Sequence, residues 1–353
     1  MTTAKGDTSM RTRRIVTSMA AAMALAPWCT QVQAQSTSVQ FYGLIGSYVG
    51  TTKVSGAPSS TTVVNGGGLT TSFFGFRGEE NLGGGTSAFF TLESFFQPDS
   101  GMYGRTPADP LFSRNAFVGL KGRYGKISIG RHMTPTYISM QAVNPFGGSV
   151  QFSPLVVQSF IPAFNNAVLG DSVWNNTVQY STPSFGGLVG TLDYAPGETA
   201  GRSGVANTGV HLRYDAGPLT AVASGQRVRL LSTATVPVLT EQKAWLAGFA
   251  YDFRVVKVYA AAVGTETYGT PTSTRTWSLG ATMPLGRGYR LIAAYAHTDR
   301  DTPKLASTDR RTGTLCLDYS LSKRTDLFLA AMNDKRSGAG SGTSTALGMR
   351  HTF

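Results

Sequence analysis

The four histidines, His132, His211, His297 and His351, are the first residues to test for chemistry. They are scattered, with no His-x-x-x-His pair to present two imidazoles to one metal. No complete Gly-x-Gly-x-x-Gly, Walker or Gly-x-Ser-x-Gly run occurs. Gly66-Gly67-Gly68 and Gly83-Gly84-Gly85 therefore read as turn glycines, not as phosphate cradles. Lys323-Arg324 and Lys335-Arg336 are isolated basic pairs without the interleaved aromatics that nucleic-acid binding requires. No catalytic residue, metal, cofactor or nucleic-acid partner is expected. What remains is the chemistry of fixed charge: Lys and Arg number 31 against 19 acids, a formal net charge of +12. Such an excess suits nucleic acid, an anionic membrane surface or an anionic solute, and composition alone does not choose among them.

The elements that position these charges are strands. Only 14% of the 353 residues are charged, 41% are hydrophobic and 42 are glycine, yet no run of 18 apolar residues occurs. That excludes a disordered chain, a coiled coil and a bundle of membrane-spanning helices. Apolar residues recur with period two. Leu315, Leu317 and Tyr319 oppose Thr314, Cys316 and Asp318; Leu347, Met349, His351 and Phe353 oppose Ala346, Gly348, Arg350 and Thr352. Sixteen such segments are predicted, beginning near residues 37, 67, 85, 111, 125, 172, 186, 206, 218, 242, 256, 274, 287, 311, 324 and 343. Tight turns (Asn81 to Gly85, Gly122 to Gly125, Ala216 to Pro218, Gly286 to Gly288, Ser320 to Arg324) alternate with longer polar connections. Short turns at one end, long loops at the other and aromatics near strand ends predict an all-β transmembrane antiparallel barrel. Closure leaves no unpaired edge in lipid. The other reading of the periodicity is a soluble, secreted β-rich enzyme or lectin. A terminal aromatic, Phe353, on the outward face of the last strand favours the barrel, because outer-membrane assembly machinery recognises that feature.

The N-terminus reads as an address. Arg11, Arg13 and Arg14 precede the small and apolar stretch Ile15 to Trp28, and Val32-Gln33-Ala34 precedes Gln35. This is the pattern of a secretory signal peptide over residues 1–34, cleaved between Ala34 and Gln35, with Met10 a possible true start. Cys29 invites a lipoprotein reading, but Pro27-Trp28 does not suit a lipobox. Removing residues 1–34 takes away four basic residues and Asp7 and leaves a domain of 319 residues, 35–353, at +9. Cys316 is then the one remaining cysteine, so no intramolecular disulfide is expected despite export.

Several segments follow one another along the chain: Ser38 to Gly43; Gly75 to Gly85 (GFRGEENLGGG) continued by Leu92-Glu93-Ser94; and Arg114 to Leu120 with Ile129-Gly130-Arg131. Val178-Gln179-Tyr180 with Pro183 to Gly187, Tyr319 to Thr325 and Gly348 to Phe353 complete the series. In this order they resemble the general porins of Gram-negative bacteria, of the betaproteobacterial and neisserial kind. The resemblance covers Val39 to Phe353. It implies a homotrimer of sixteen-stranded barrels in the outer membrane, touching lipid and lipopolysaccharide and inserted by the barrel-assembly machinery. Each barrel would form a water-filled channel for passive diffusion of small hydrophilic solutes and ions. It also implies a third extracellular loop folded into the lumen, here Met133 to about Asp171, the longest gap between strands.

In such a channel, selectivity comes from the size of the constriction and from charges in a narrow, poorly screened gap. By resemblance, Arg114 points into the lumen and basic wall residues face the inserted loop, as in the many family members that favour anions. Arg77 shares parity with Gly75 and Phe73, away from Phe74 and Phe76, and is read as lumen-facing. Glu93 is read as a lumen acid, out of step with Phe90 and Leu92 if the register holds through Phe95. Arg131 and His132 stand at the start of the loop and are assigned to the pore lining; His132 reads as a solvated rim histidine, with pH tuning of the pore as the other reading. Phe73 and Trp174 occupy positions where relatives often place arginine, which argues against a strong basic cluster and hence against strong anion selectivity. Met133 to Gly170, 38 residues, contains no charged side chain. Either its apolar residues pack the loop on the barrel wall, or they form a less polar constriction for organic solutes, organic anions given the +9. A barrel serving mainly as an adhesin or structural surface protein is the alternative function.

Overall fold

The computed structural model describes residues 38–198, 200, 205–231, 238–269 and 271–353. The expected leader, with its cleavage between Ala34 and Gln35 and the alternative start at Met10, lies outside the described residues.

Among the described residues sixteen antiparallel strands close on themselves. They are β1 (Ser38–Thr52), β2 in two pieces (Thr61–Gly66 and Phe73–Gly83), β3 (Thr86–Gln97), β4 (Asn115–Gly122) and β5 (Gly125–Met133). Then come β6 (Val173–Ser181), β7 (Leu188–Ala195), β8 (Asn207–Ala216), β9 (Leu219–Leu231), β10 (Leu239–Asp252) and β11 (Lys257–Tyr268). β12 (Thr272–Gly286), β13 (Tyr289–Asp301), β14 (Thr308–Ser320), β15 (Thr325–Arg336) and β16 (Gly342–Thr352) complete the circuit. β1 pairs with β2 on one side and with β16 on the other, so every backbone edge inside lipid is satisfied. The pair Met102–Tyr103 forms only a short bridge inside the loop after β3.

The second strand is broken where the sequence predicts a continuous start near residue 67. Gly67 and Gly68 adopt positive φ (85° and 91°), and Ser72 Oγ fills the gap in the ladder, accepting from Gly46 N–H at 3.0 Å and donating to Gly46 O at 3.1 Å. A Cβ on Gly68 would lie 2.4 Å from the ring of Phe328, so the break also makes room for an inward aromatic. β4 likewise begins at Asn115, not near 111, because Leu111 to Arg114 belong to the preceding loop.

The two faces follow the predicted alternation. Trp277, Leu279, Leu315 and Leu317 are exposed on the outside, and Thr276, Ser278, Thr314 and Cys316 are buried inside. The outer belt has the apolar character that lipid requires.

The connection from β5 to β6 turns inward. Thr134 caps α1 (Pro135–Ala142), its Oγ1 accepting from Tyr137 N–H, and Ser153 caps α2 (Pro154–Phe160) in the same way. Proline opens both helices, where its missing N–H costs nothing. α1 packs on β8, β9 and β10, and α2 on β12, β13 and β14, so the loop crosses the lumen to the far wall. Non-helical backbone at this depth survives because it is internally bonded. Asn144 Nδ2 donates to the Met140 and Gly147 carbonyls, and its Oδ1 accepts from Phe146 N–H and Ser153 Oγ.

Candidate functional site

The lumen wall of β1 to β4 carries a compact charged group. Tyr42, Gly75, Glu93 and Asn115 stand opposite one another in the ladder and so share the inner face. Glu93 is only 4% exposed. It accepts from Tyr42 O–H at 2.7 Å and from Asn115 Nδ2 at 2.5 Å, and it forms an ion pair with Arg114. Arg114 precedes β4 and is not bound by strand parity; its N–H donates to Glu93 O and its guanidinium folds back over the Phe73 ring, 4.2 Å from the centroid. A buried carboxylate is tolerable only when paired and hydrogen-bonded like this. Phe73 supplies the π face that Arg114 rests on, a contact of about 0.5–2 kcal/mol.

Arg77 stands below this group on the same inner face, opposite Gln40 and Thr91. It donates through Nε and Nη2 to Gln40 Oε1 at 2.9 and 2.7 Å and lies over the Tyr42 ring. No carboxylate among the described residues pairs with it. On β13 to β16, the strands that lead round to β1, Arg290 pairs with Asp318, Arg310 with Asp334 and Arg350 with Asp326, while Arg300 donates to the Asn165 and Asn166 carbonyls of the inserted loop.

Arg131 and Trp174 do not join this group. Arg131 pairs with Ala116 in the ladder, next to a bulge after Gly130. It spends its guanidinium on Ser113 O, Asn175 Oδ1 and Asp171. Trp174 is buried (5% exposed) beside Pro135 and Gly209 at the root of the inserted loop, where it packs with Ala195 and Val228. His132 is not a solvated rim residue: it is 3% exposed, stacked on Phe117 with centroids 4.3 Å apart, and its Nε2 lies 3.3 Å from Ser128 Oγ. All three are drawn away from open water because the chain has to bury its backbone where the loop leaves and rejoins the wall.

A second ionic group ties the loop after β3 to the end of the inserted loop. Arg105 donates to Asp109 Oδ1 and Oδ2 and to Asp171 Oδ1 and Oδ2, all at 2.8 Å, and to Ser172 Oγ at 3.0 Å. Burial alone would raise both aspartates, but the hydrogen bonds and charge of Arg105 outweigh it and hold them below the ordinary carboxylate range. Burial also opposes the Arg105 charge, and the two carboxylates overcome it and raise its pKa.

The inserted loop packs into two apolar clusters with the inner wall. One joins Phe146, Phe152, Val157 and Phe164 to Tyr48, Ile292, Cys316, Phe328 and Met332. The other joins Met140, Leu155 and Val156 to Val222, Leu246 and Val263. Wall packing is therefore what the uncharged 133–170 segment does. The apolar inner wall was missed from sequence, although a signal exists: Leu327 to Met332 is apolar on both faces, and a strand of that kind needs cover on the lumen side. Among the described residues no group of three or more His, Cys, Asp or Glu could hold a metal ion.

The profile of the family described as "Gram-negative porin" matches residues 18–339. The chain belongs to the Gram-negative porins. It is 29% identical over 313 residues, 84% of each chain, to outer membrane porin protein 32 of Delftia acidovorans. It is 27% identical over 398 aligned positions, 94% of this chain and 98% of the relative, to an outer membrane porin protein of Bordetella pertussis. Among solved structures it resembles an anion-selective porin from Comamonas acidovorans: TM-score 0.75, 28% identity, with 90% of this chain and 100% of that one covered. The porin is thus a sixteen-stranded outer-membrane barrel of a Gram-negative bacterium, built as a channel. The soluble secreted enzyme is set aside by this membership and by the apolar outer belt.

Proposed function

We propose that this porin forms a passive, water-filled channel for small hydrophilic solutes and ions with a mild preference for anions. The observation that carries the reading is the difference between two lumen cations. Arg114 is neutralised by Glu93, whereas Arg77 faces the lumen with the neutral Gln40 and the Tyr42 ring against its guanidinium. One uncompensated positive charge on a low-dielectric wall raises the local concentration of anions. The solved relative named as anion-selective supports the same sign. Phe73 and the buried Trp174 keep the preference mild, because neither adds a charge to the wall. The test is the reversal potential of single channels in a potassium chloride gradient. Wild type should favour chloride and Arg77→Gln should lose most of that preference; a cation-selective wild type would overturn the reading.

The assembly reading is likewise our own. We propose a homotrimer that contacts lipopolysaccharide at its rim and is inserted by the barrel-assembly machinery through the Phe353 signal. Phe353 N–H and O bond to Gly43 O and N–H at 3.1 Å, and its ring rests against Phe41 on the outer face. The end of the chain is thereby presented on the surface that an assembly factor would meet. Residues 1–34 are proposed to be the secretory leader. Export of the chain lacking them, or normal assembly of Phe353→Ala, would contradict these assignments. Bilayer conductance separates the channel from the adhesin alternative.

A further inference from the structure

On the long-loop side of the barrel, above the inserted loop, lies a cavity of about 660 Å³. That is within the size range of a small-molecule site. One side is apolar: Phe160 and Ile161 at the end of α2 face into it with the rings of Phe152 and Phe164 nearby. The other side is polar and uncharged: Tyr48, Asn65 and Gln151. The Asn65 Nδ2 to Tyr48 O–H bond measures 3.3 Å and the Tyr48 O–H to Gln151 Oε1 bond 3.5 Å. Bonds this long are weak and readily exchanged for a ligand hydroxyl.

The charges at the rim select against ions. Among the described residues, the charged ones that line the cavity are Arg105, Asp109 and Asp171. A guanidinium has five N–H donors. All five on Arg105 are taken, by Asp109, Asp171 and Ser172. A carboxylate or phosphate arriving there finds no free donor and meets two aspartates. A cation gains little, because both aspartates are already bound to Arg105 and Asp171 also faces Arg131.

We infer that this vestibule is a recognition site for uncharged, ring-bearing solutes that carry hydroxyl groups, which it collects before they pass the inserted loop. The ring lies on Phe160 and Ile161, and the hydroxyls replace the long bonds among Tyr48, Asn65 and Gln151. The transport role rests on the channel reading above; the binding site does not. It gives the channel a neutral solute class distinct from the ions that Arg77 acts upon.

The probe is phenyl β-D-glucoside, compared with methyl β-D-glucoside and with benzoate. Two readouts are used on the full porin: ion-current blockade in planar bilayers, and saturation-transfer NMR on the detergent-solubilised protein. Phenyl glucoside should bind about tenfold more tightly than methyl glucoside, the ratio that burying much of one ring supplies. Benzoate should bind no better than methyl glucoside. Ile161→Ser removes the apolar floor, and Ala163→Trp fills the cavity from an exposed position. Both should bring the two glucosides to within about twofold of each other while leaving the open-channel conductance in place. Equal binding of both glucosides to wild type, tighter binding of benzoate, or an unchanged ratio in both variants would overturn the proposal. Ring-selective binding without conductance would sustain the site and defeat the channel reading; conductance without it would do the reverse.

Discussion

Gln158, in the middle of the inserted loop, holds Thr312 on the opposite wall: its Nε2 donates to Thr312 Oγ1 at 2.8 Å across 154 residues of chain. Its Oε1 accepts from Thr298 Oγ1 at 2.6 Å, and the amide is buried (1% exposed). An uncharged loop is thus fixed by one amide reading two wall hydroxyls, beside the buried Arg310–Asp334 ion pair. Gln158→Leu keeps the volume and removes these bonds, at a cost of about 1 kcal/mol, while Thr312 and Thr298 keep their bonds to Asp334 and Thr276. We expect noisier open-channel currents and a lower temperature for the heat-induced gel shift. Currents as quiet as wild type would show that apolar packing alone holds the loop.

Glu93 sets the charge of the β1–β4 wall by neutralising Arg114. Glu93→Gln keeps an acceptor for Tyr42 and removes the charge. The chloride-to-potassium permeability ratio should then rise by about twofold or more, because the freed charge acts in a poorly screened lumen. Reversal potentials in a salt gradient read this directly, and an unchanged ratio would place the pair outside the ion path.

The ties of Arg105 to Asp109 and Asp171 give a pH dependence of definite sign. Both carboxyls are depressed in the folded state. Their contribution is therefore present above the unfolded carboxylate value, about 3.9, and is lost as pH falls through the lower folded values. Current noise and the accessibility of Asp171-side residues to labelling should stay flat from neutral pH down through about pH 4 and change only below it. Asp171→Asn should produce the acid behaviour at neutral pH.

Phe328 is a fully inward wall side chain of the apolar cluster, 1% exposed, and it occupies the space left by Gly68 and Gly348. Phe328→Ala should cost about 3–5 kcal/mol, measured as a lower urea midpoint in detergent. Leu347→Ala, one residue from Gly348 on the exposed outer face, should cost much less in detergent. Equal losses would mean that the inner cluster adds nothing beyond the belt.

Much of the fold is legible in the alternation alone. Strand starts near 125, 172, 206, 218 and 256 fall within one residue of β5, β6, β8, β9 and β11, because a side-chain period of two leaves one register that turns the apolar face to lipid. The break in β2 was not legible: Gly66-Gly67-Gly68 reads as a turn, and only the closed barrel shows Phe328 filling its gap. Parity places Arg77 and Glu93 on the inner face. It fails for Arg114, which lies outside a strand, and for Arg131, whose guanidinium is claimed by Asp171 after a bulge.

By itself the sequence determined the barrel, its outward face and the uncharged character of the inserted loop, since periodicity and composition are local properties. Tertiary structure alone decided which charges remain active. Arg77, Arg105, Arg114 and Arg131 are equivalent as letters. Folding gives three of them carboxylates, from Glu93, from Asp171 and, within the loop of Arg105 itself, from Asp109, and gives Arg77 an amide and the Tyr42 ring. The effect of a charge is set by what folding brings within a few ångströms of it, and Glu93 and Asp171 reach their arginines from other strands and loops. The basic excess read from composition therefore overstates the charge that solutes meet.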